Sequence, residues 1–271
     1  MRPFLGIAAL VAALALAPAT TATRLYNANS TSSNWAGFVA SASGKAFTDV
    51  KGSWVQPAVT CAARSTGYAS FWVGLGGASG SSHGLEQIGT SADCHNGVPS
   101  YTAWWEILPA SSTVIPWSPT PGDAIAAEVR VSGTTVTMTL TDVTSGQTFT
   151  QNQTVSSPDT SSADWIAEAP QLCTKGCTTL PLSNFAPVAF SAASATLGST
   201  TGPITAPGFG SYSLDLRPKV AGSASATTGP IGADGASFSV SSAAARTTVR
   251  KPAPKTPPRV LLRRTRHGRH R

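Results

Sequence analysis

Charge is what this chain has least of. Only 11% of its 271 residues are Asp, Glu, Lys or Arg, less than half the usual ~25%. Glutamate occurs at four positions, Glu86, Glu106, Glu128 and Glu168. Of the four histidines, only His83 and His95 precede the C-terminal tail. They sit in one loop-rich stretch without a recognisable partner, so a serine nucleophile would have no base. There is no H-E-x-x-H and no Asp-Thr-Gly or Asp-Ser-Gly turn, which removes the commonest zinc-protease and pepsin-like signatures. "GLGGASG" (Gly74–Gly80) lacks the lysine and the strand-to-helix setting of a phosphate loop. No segment holds a helical period for long, which excludes a helical bundle. Beyond the N-terminal run, no apolar stretch is long enough to cross a bilayer.

What is plentiful is glycine (25), proline (20) and small hydroxylated residues, a composition suited to short strands and turns. The N-terminus, with one Arg, an apolar run from Phe4 to Ala17 and small-residue cleavage options after Ala19 or Ala22, reads as a secretory signal peptide. Ten of the 19 Lys/Arg lie in residues 246–271, which contain no Asp or Glu. Residues 1–245 therefore carry nine basic against 12 acidic residues, a net of −3, and the body has no nucleic-acid-binding character. The sequence divides into a signal peptide (1–22), a short polar lead-in (23–33), a β domain (34–245) and a basic, proline-containing disordered tail (246–271). That tail is either a solvated appendage or a contact for anionic cell-envelope polymers.

Between residues 34 and 245, strand-like runs alternate with turn clusters. "NWAGFVA" (Asn34–Ala40), "YASFWVGLGG" (Tyr68–Gly77), "YTAWWEIL" (Tyr101–Leu108), "DAIAAEVRVSG" (Asp123–Gly133) and "SADWIAEAP" (Ser162–Pro170) are examples. "TSGQ" between two alternating segments predicts a hairpin within Thr134–Val155. The spacing predicts an all-β antiparallel sandwich or barrel. Cys61, Cys94, Cys173 and Cys177 allow two disulfides in three connectivities. Cys173–Cys177 as a small local loop with Cys61–Cys94 as a longer clasp is the favoured pairing, and a four-cysteine zinc site is the rival, poorly spaced reading.

Two of the four glutamates stand among aromatics, in "AWWEIL" and "DWIAE". On a strand Trp104, Glu106 and Leu108 share one face, as do Asp164, Ile166 and Glu168. A carboxyl beside bulky apolar groups loses hydration and its pKa rises. This is either an acid–base setting or a carboxylate at a strand edge facing water. In "GLEQIGT" (Gly84–Thr90) the same alternation sends Glu86 and Gln87 to opposite faces.

These segments resemble the glutamic peptidases, or eqolisins, whose best-known members are secreted fungal acid proteases. "SSNWAGFVA", "SFWVGLGG", "LEQIGT", "YTAWWEILP", "TPGDAIAAEVRV" and "SADWIAEAP" are similar, in the same order, to that family's blocks from about Ser32 to Ala195, and more faintly to Ala245. The resemblance implies a sandwich of two antiparallel sheets, concanavalin-like, whose concave face forms a peptide cleft. It implies a catalytic pair at Gln87 and Glu168, a cleft lined by Trp35, Trp72, Trp104 and Glu106, and no cofactor or metal. It further implies a secreted, pepstatin-insensitive acid endopeptidase acting on polypeptides, without stable membrane insertion. A monomer is the default expectation.

The sequence departs from the family at Gly76, where the fungal pattern has an acidic residue, at Glu86, where it has an apolar one, and at Ser91, where an acid is missing. The competing reading is a non-catalytic sandwich, a carbohydrate-binding or wall-associated module, because exposed tryptophans also stack on sugars.

Overall fold

The computed structural model describes residues 27–244, apart from 80, 81, 83, 174, 221 and 222. The expected signal peptide, His83 and the basic tail lie outside the described residues.

Among the described residues every regular element is a strand. The chain opens with β1 (Asn27–Ser32), β2 (Trp35–Ser41), β3 (Phe47–Val55) and the short β4 (Val59–Thr60). A meander follows: β5 (Ser70–Gly76), β6 (Leu85–His95), β7 (Val98–Ile107) and β8 (Thr113–Val114). Next come β9 (Ala124–Ser132), β10 (Thr135–Asp142), β11 (Gln147–Thr154) and β12 (Ser162–Glu168). The pair β13 (Gln171–Cys173) and β14 (Cys177–Thr179) forms a small hairpin, and β15 (Asn184–Phe185) pairs with β4. The last five are β16 (Val188–Leu197), β17 (Thr200–Pro203), β18 (Gly210–Leu216), β19 (Ser225–Thr228) and β20 (Phe238–Ala243).

Two leaves pack face to face. One runs β11-β10-β9-β3-β16, the other β18-β2-β12-β5-β6-β7-β8, and β3 and β9 lie against β5, β6 and β12. The two-sheet expectation is refined in one respect: β20 and β19 hydrogen-bond β16 to β18, so a single antiparallel path folds over itself. Residues 27–32, read from the sequence as lead-in, form β1 and run parallel to β18.

The burial patterns follow from the sequences. β9 and β10 alternate strictly, with Val129, Val131, Val136, Met138 and Leu140 inward, as expected of strands with one wet face. The expected hairpin joins β10 to β11. Its turn is held by Asp142, whose carboxylate accepts from the Thr144 and Ser145 amides at 2.9 and 3.1 Å. β5 and β12 are instead buried nearly throughout, because their inner face meets the opposite leaf and their outer face carries an aromatic cluster.

The inner core centres on Trp54, Trp165, Phe47, Phe71 and Phe190. Both indoles cross the leaves to find acceptors, Trp54 Nε1 at Thr90 Oγ1 (3.0 Å) and Trp165 Nε1 at the Lys51 carbonyl (2.6 Å), so neither of these two donors is left unpaired. Disulfides join Cys61 to Cys94 and Cys173 to Cys177. All four cysteines are therefore paired, which disposes of the zinc alternative.

Candidate active site

Strand alternation divides β12 cleanly. Trp165 enters the inner core, while Asp164, Ile166 and Glu168 point to the outer face of the leaf. Register then aligns three rows across that face. The first holds Trp35, Glu168, Ser70 and Ser91, the second Gly37, Ile166, Trp72, Gly89 and Trp104, the third Val39, Asp164, Gly74, Gln87 and Glu106. An apolar floor of Val39, Trp72, Leu85, Trp104, Ile166 and Leu214 carries Trp35, Ala78 and Tyr212 at its margin. The Trp35 and Trp72 rings meet edge to face at 5.0 Å.

Two glycines make this floor possible. A Cβ at Gly89 would stand 2.2 Å from the Phe71 carbonyl oxygen and 2.6 Å from Trp72 Cβ, so only a bare backbone lets Trp72 lie across β6. Gly74 likewise leaves room beneath the far end of the Trp72 ring, which a Cβ there would approach to 3.1 Å.

Glu168 is held at both oxygens. Trp72 Nε1 donates to Oε2 at 2.9 Å, and Asn34 Nδ2 donates to Oε1 at 2.9 Å. Asn34 is itself oriented by Ser32, whose hydroxyl donates to Asn34 Oδ1 at 3.2 Å. Burial pushes the Glu168 carboxyl up to about 7. The Trp72, Trp35 and Asn34 donors oppose that shift, and the charge of Glu106 adds to it. The Trp35 indole contributes without completing a hydrogen bond.

Gln87 is 3% exposed. Its Nε2 donates to Glu106 Oε2 at 2.6 Å, and its Oε1 is buried without a partner. Burial raises Glu106 above the usual carboxylate range, against the opposing hydrogen bond from Gln87. Gln87 and Glu168 thus lie on one face, two strands and two rows apart, with Glu106 hydrogen-bonded to the first and electrostatically coupled to the second.

Of the residues named from sequence, the structure brings Gln87, Glu168, Trp35, Trp72, Trp104 and Glu106 onto this face, while the four cysteines lie in the two disulfides elsewhere. Sequence reasoning missed Asn34, although it stands beside Trp35 in the quoted block; a polar residue at the mouth of an apolar strand was the available signal. Asp164, placed on the Glu168 face from the sequence but given no role in the site, is wholly buried there and raised well above the carboxylate range by that burial, with Ser162 Oγ donating to it at 3.1 Å. Glu86 does point the other way. It is 1% exposed, accepts from the Asp159 amide at 3.2 Å, and is pushed by burial up to about 7. The described residues contain no cluster of His, Cys, Asp and Glu suited to a metal ion.

A protein-family model described as the Peptidase A4 family matches residues 33–248. Among solved structures, scytalido-glutamic peptidase with a transition-state analogue inhibitor is similar at 21% identity and a TM-score of 0.64, covering 78% of this chain and 99% of that one. Aspergilloglutamic peptidase from Aspergillus niger is 24% identical at a TM-score of 0.53, covering 64% of this chain and 98% of that one. SCP-B, an eqolisin in complex with the tripeptide Ala-Ile-His, is 21% identical at a TM-score of 0.52, covering 78% of this chain and 99% of that one. At these identities the likeness is one of fold. No curated protein matches the chain.

Proposed function

The chain belongs to the Peptidase A4 family, the glutamic peptidases, and from that premise we propose that it is a secreted endopeptidase in which Glu168 and Gln87 carry out peptide hydrolysis. The observation that carries the reading is the state of Glu168: a half-buried residue whose carboxyl is lifted to about 7 by desolvation and aimed by indole and amide donors, on the face that also holds Gln87.

Cleaving an unactivated amide requires a nucleophilic water, a stabilised oxyanion and a proton for the leaving amine. Ionised Glu168 takes a proton from water as the new C–O bond forms, then returns it to the amide nitrogen as the C–N bond breaks. Gln87 Nε2 has two hydrogens. Glu106 accepts one, which fixes the amide plane and leaves the second for the developing oxyanion. Its unpartnered carbonyl oxygen is an acceptor for the attacking water. Removing a comparable donor in other hydrolases costs about 10²–10³ in kcat.

Burial alters the expected pH dependence. A carboxylate at its reference value would be ionised by pH 5, whereas Glu168 at about 7 makes the rate climb towards neutrality. The optimum is therefore expected in mild acid, at about pH 5–7, rather than in strong acid. The paired cysteines and the N-terminal signal-like segment support export. The carbohydrate-module reading loses ground because Trp54, Trp72, Trp104 and Trp165 are all buried, which leaves Trp35 as the one partly exposed tryptophan of the outer-face cluster.

The test is cleavage of denatured casein between pH 3 and 8 by the full chain with pepstatin present. Glu168→Gln is expected to lose at least about 10³-fold in kcat and Gln87→Ala about 10²–10³-fold, both remaining folded. Full activity in folded Glu168→Gln would sink the mechanism.

A further inference from the structure

Gly76 ends β5 at φ +83°, and the space its side chain would need is already filled. A Cβ there would lie 2.5 Å from Asp159 Cβ and 2.6 Å from Asp159 Cγ. Asp159 comes from the connection between β11 and β12, more than eighty residues further along the chain. Its side chain nevertheless fills the space that a side chain at residue 76 would need. This is the position at which the sequence departs from the acidic residue of the family pattern. We propose that Asp159 has taken over that missing carboxylate from another segment of the chain, and that it acts as a positioning residue for Gln87 by tying the end of β5 to the start of β6.

The contacts support a tie rather than a chance neighbour. The Asp159 backbone amide donates to Glu86 Oε1 at 3.2 Å, and Glu86 immediately precedes Gln87. A Cβ on Gly84 would lie 3.4 Å from Asp159 Cβ, so Asp159 also lies against the residue that leads into β6. Its Oδ1 accepts from the Ser161 amide at 2.9 Å. The Ser82 hydroxyl accepts from the Gly77 amide at 2.8 Å and stands between Asp159 Oδ2 and the Gly84 carbonyl, donating to one or the other. The end of β5 and the start of β6 thus both reach Asp159, directly or through one hydroxyl. These hydrogen bonds hold its carboxyl below the usual range, so it is charged wherever the enzyme works, while neighbouring Glu86 is lifted to about 7. A charged Asp159 beside a neutral Glu86 avoids the repulsion that two buried carboxylates would suffer.

Gln87 is asked to act on charge that develops only in the transition state, so loosening its strand should lower kcat and spare KM. Displacement of about 1 Å costs up to about 10²-fold.

The experiment compares full-length wild type with Asp159→Ala. Amide hydrogen exchange at pH 5 is read by peptide mass spectrometry. Asp159→Ala is expected to exchange about 10-fold faster or more over residues 84–88, with β2 and β9 unchanged. It should lose about 10- to 100-fold in kcat with KM within about twofold. Unchanged exchange at 84–88, acceleration shared by β2 and β9, or a change confined to KM would each overturn the proposal. The kinetic arm rests on the glutamic-peptidase reading and the exchange arm does not. A wild-type chain inactive on every polypeptide would therefore overturn that reading, while the exchange arm still decides the tie.

Discussion

Opposed forces meet at the Glu168 carboxylate. Desolvation favours its neutral form, while three donors, Trp72, Trp35 and Asn34, favour the charged one. The balance is what makes a base that is neither fully charged in strong acid nor silent at neutrality. Asn34 is the most removable of the three, being partly exposed and contributing one hydrogen bond to Oε1. Asn34→Ala removes stabilisation of the ionised form only, so the pKa must rise. A hydrogen bond to a charged group is worth roughly 1.5–3 kcal/mol, and partial exposure reduces it, so a shift of about one unit is expected. The kcat–pH profile should show its ascending limb moved upwards by that amount, with the plateau rate retained. A limb that stays in place would mean Asn34 does not touch the reacting carboxylate. Glu168 could be found from its motif context because its block is short and contiguous. Its energetics could not, since the donors come from the β1–β2 turn and from β5, 134 and 96 residues away.

At the scale of elements, the β5–β6 pair carries the site. Gly89 has the Phe71 carbonyl and Trp72 Cβ within 2.6 Å of where a methyl would stand, both part of the rigid neighbouring strand. Gly89→Ala should force β5 and β6 apart, costing about 3 kcal/mol and tilting Trp72 away from Glu168. The denaturant midpoint and the casein rate should fall together, and a midpoint equal to wild type would contradict this packing. Such relations explain what the sequence made legible. β9, β10 and β11 were readable because each has one wet face and alternates, with Thr137, Thr139 and Thr141 pairing outward to Asn152, Thr150 and Thr148. β1 was not, because "NANSTS" has no apolar period and owes its existence to register with β18. The bridge through β19 and β20 was equally invisible, since pairing between distant strands leaves no periodic trace. Gln87 could be placed on a face, but its bond to Glu106 depends on the β6–β7 register, and Asp159 above Gly76 depends on tertiary packing alone.

Over the whole molecule, buried carboxyls dominate the response to pH. Glu86 and Glu168 are raised to about 7 and Asp93 to about 6, and Asp164 and Glu106 are raised too, in each case chiefly by burial. Each binds its proton more tightly folded than unfolded. Between the unfolded value near ~4 and the folded value, the native state holds more protons, so stability falls as pH rises. The contribution is complete below about pH 4 and lost once pH passes about 7. Asp142, Asp159 and Asp234 are lowered by hydrogen bonds and act oppositely, losing their contribution as pH drops below about 4. Together these place maximum stability at about pH 4–5, on the acid side of the usual range. Glu86, 1% exposed and outside the proposed chemistry, allows the effect to be isolated. Glu86→Gln keeps an acceptor for the Asp159 amide but cannot ionise. It should match wild type at pH 4 and exceed it by about 3 kcal/mol at pH 8. Urea denaturation from pH 3 to 8 measures both curves. A wild-type protein more stable at pH 8 than at pH 5, or a Glu86→Gln curve parallel to it, would mean that Glu86 is ionised in the folded protein and that its burial is compensated by contacts other than those to Asp159.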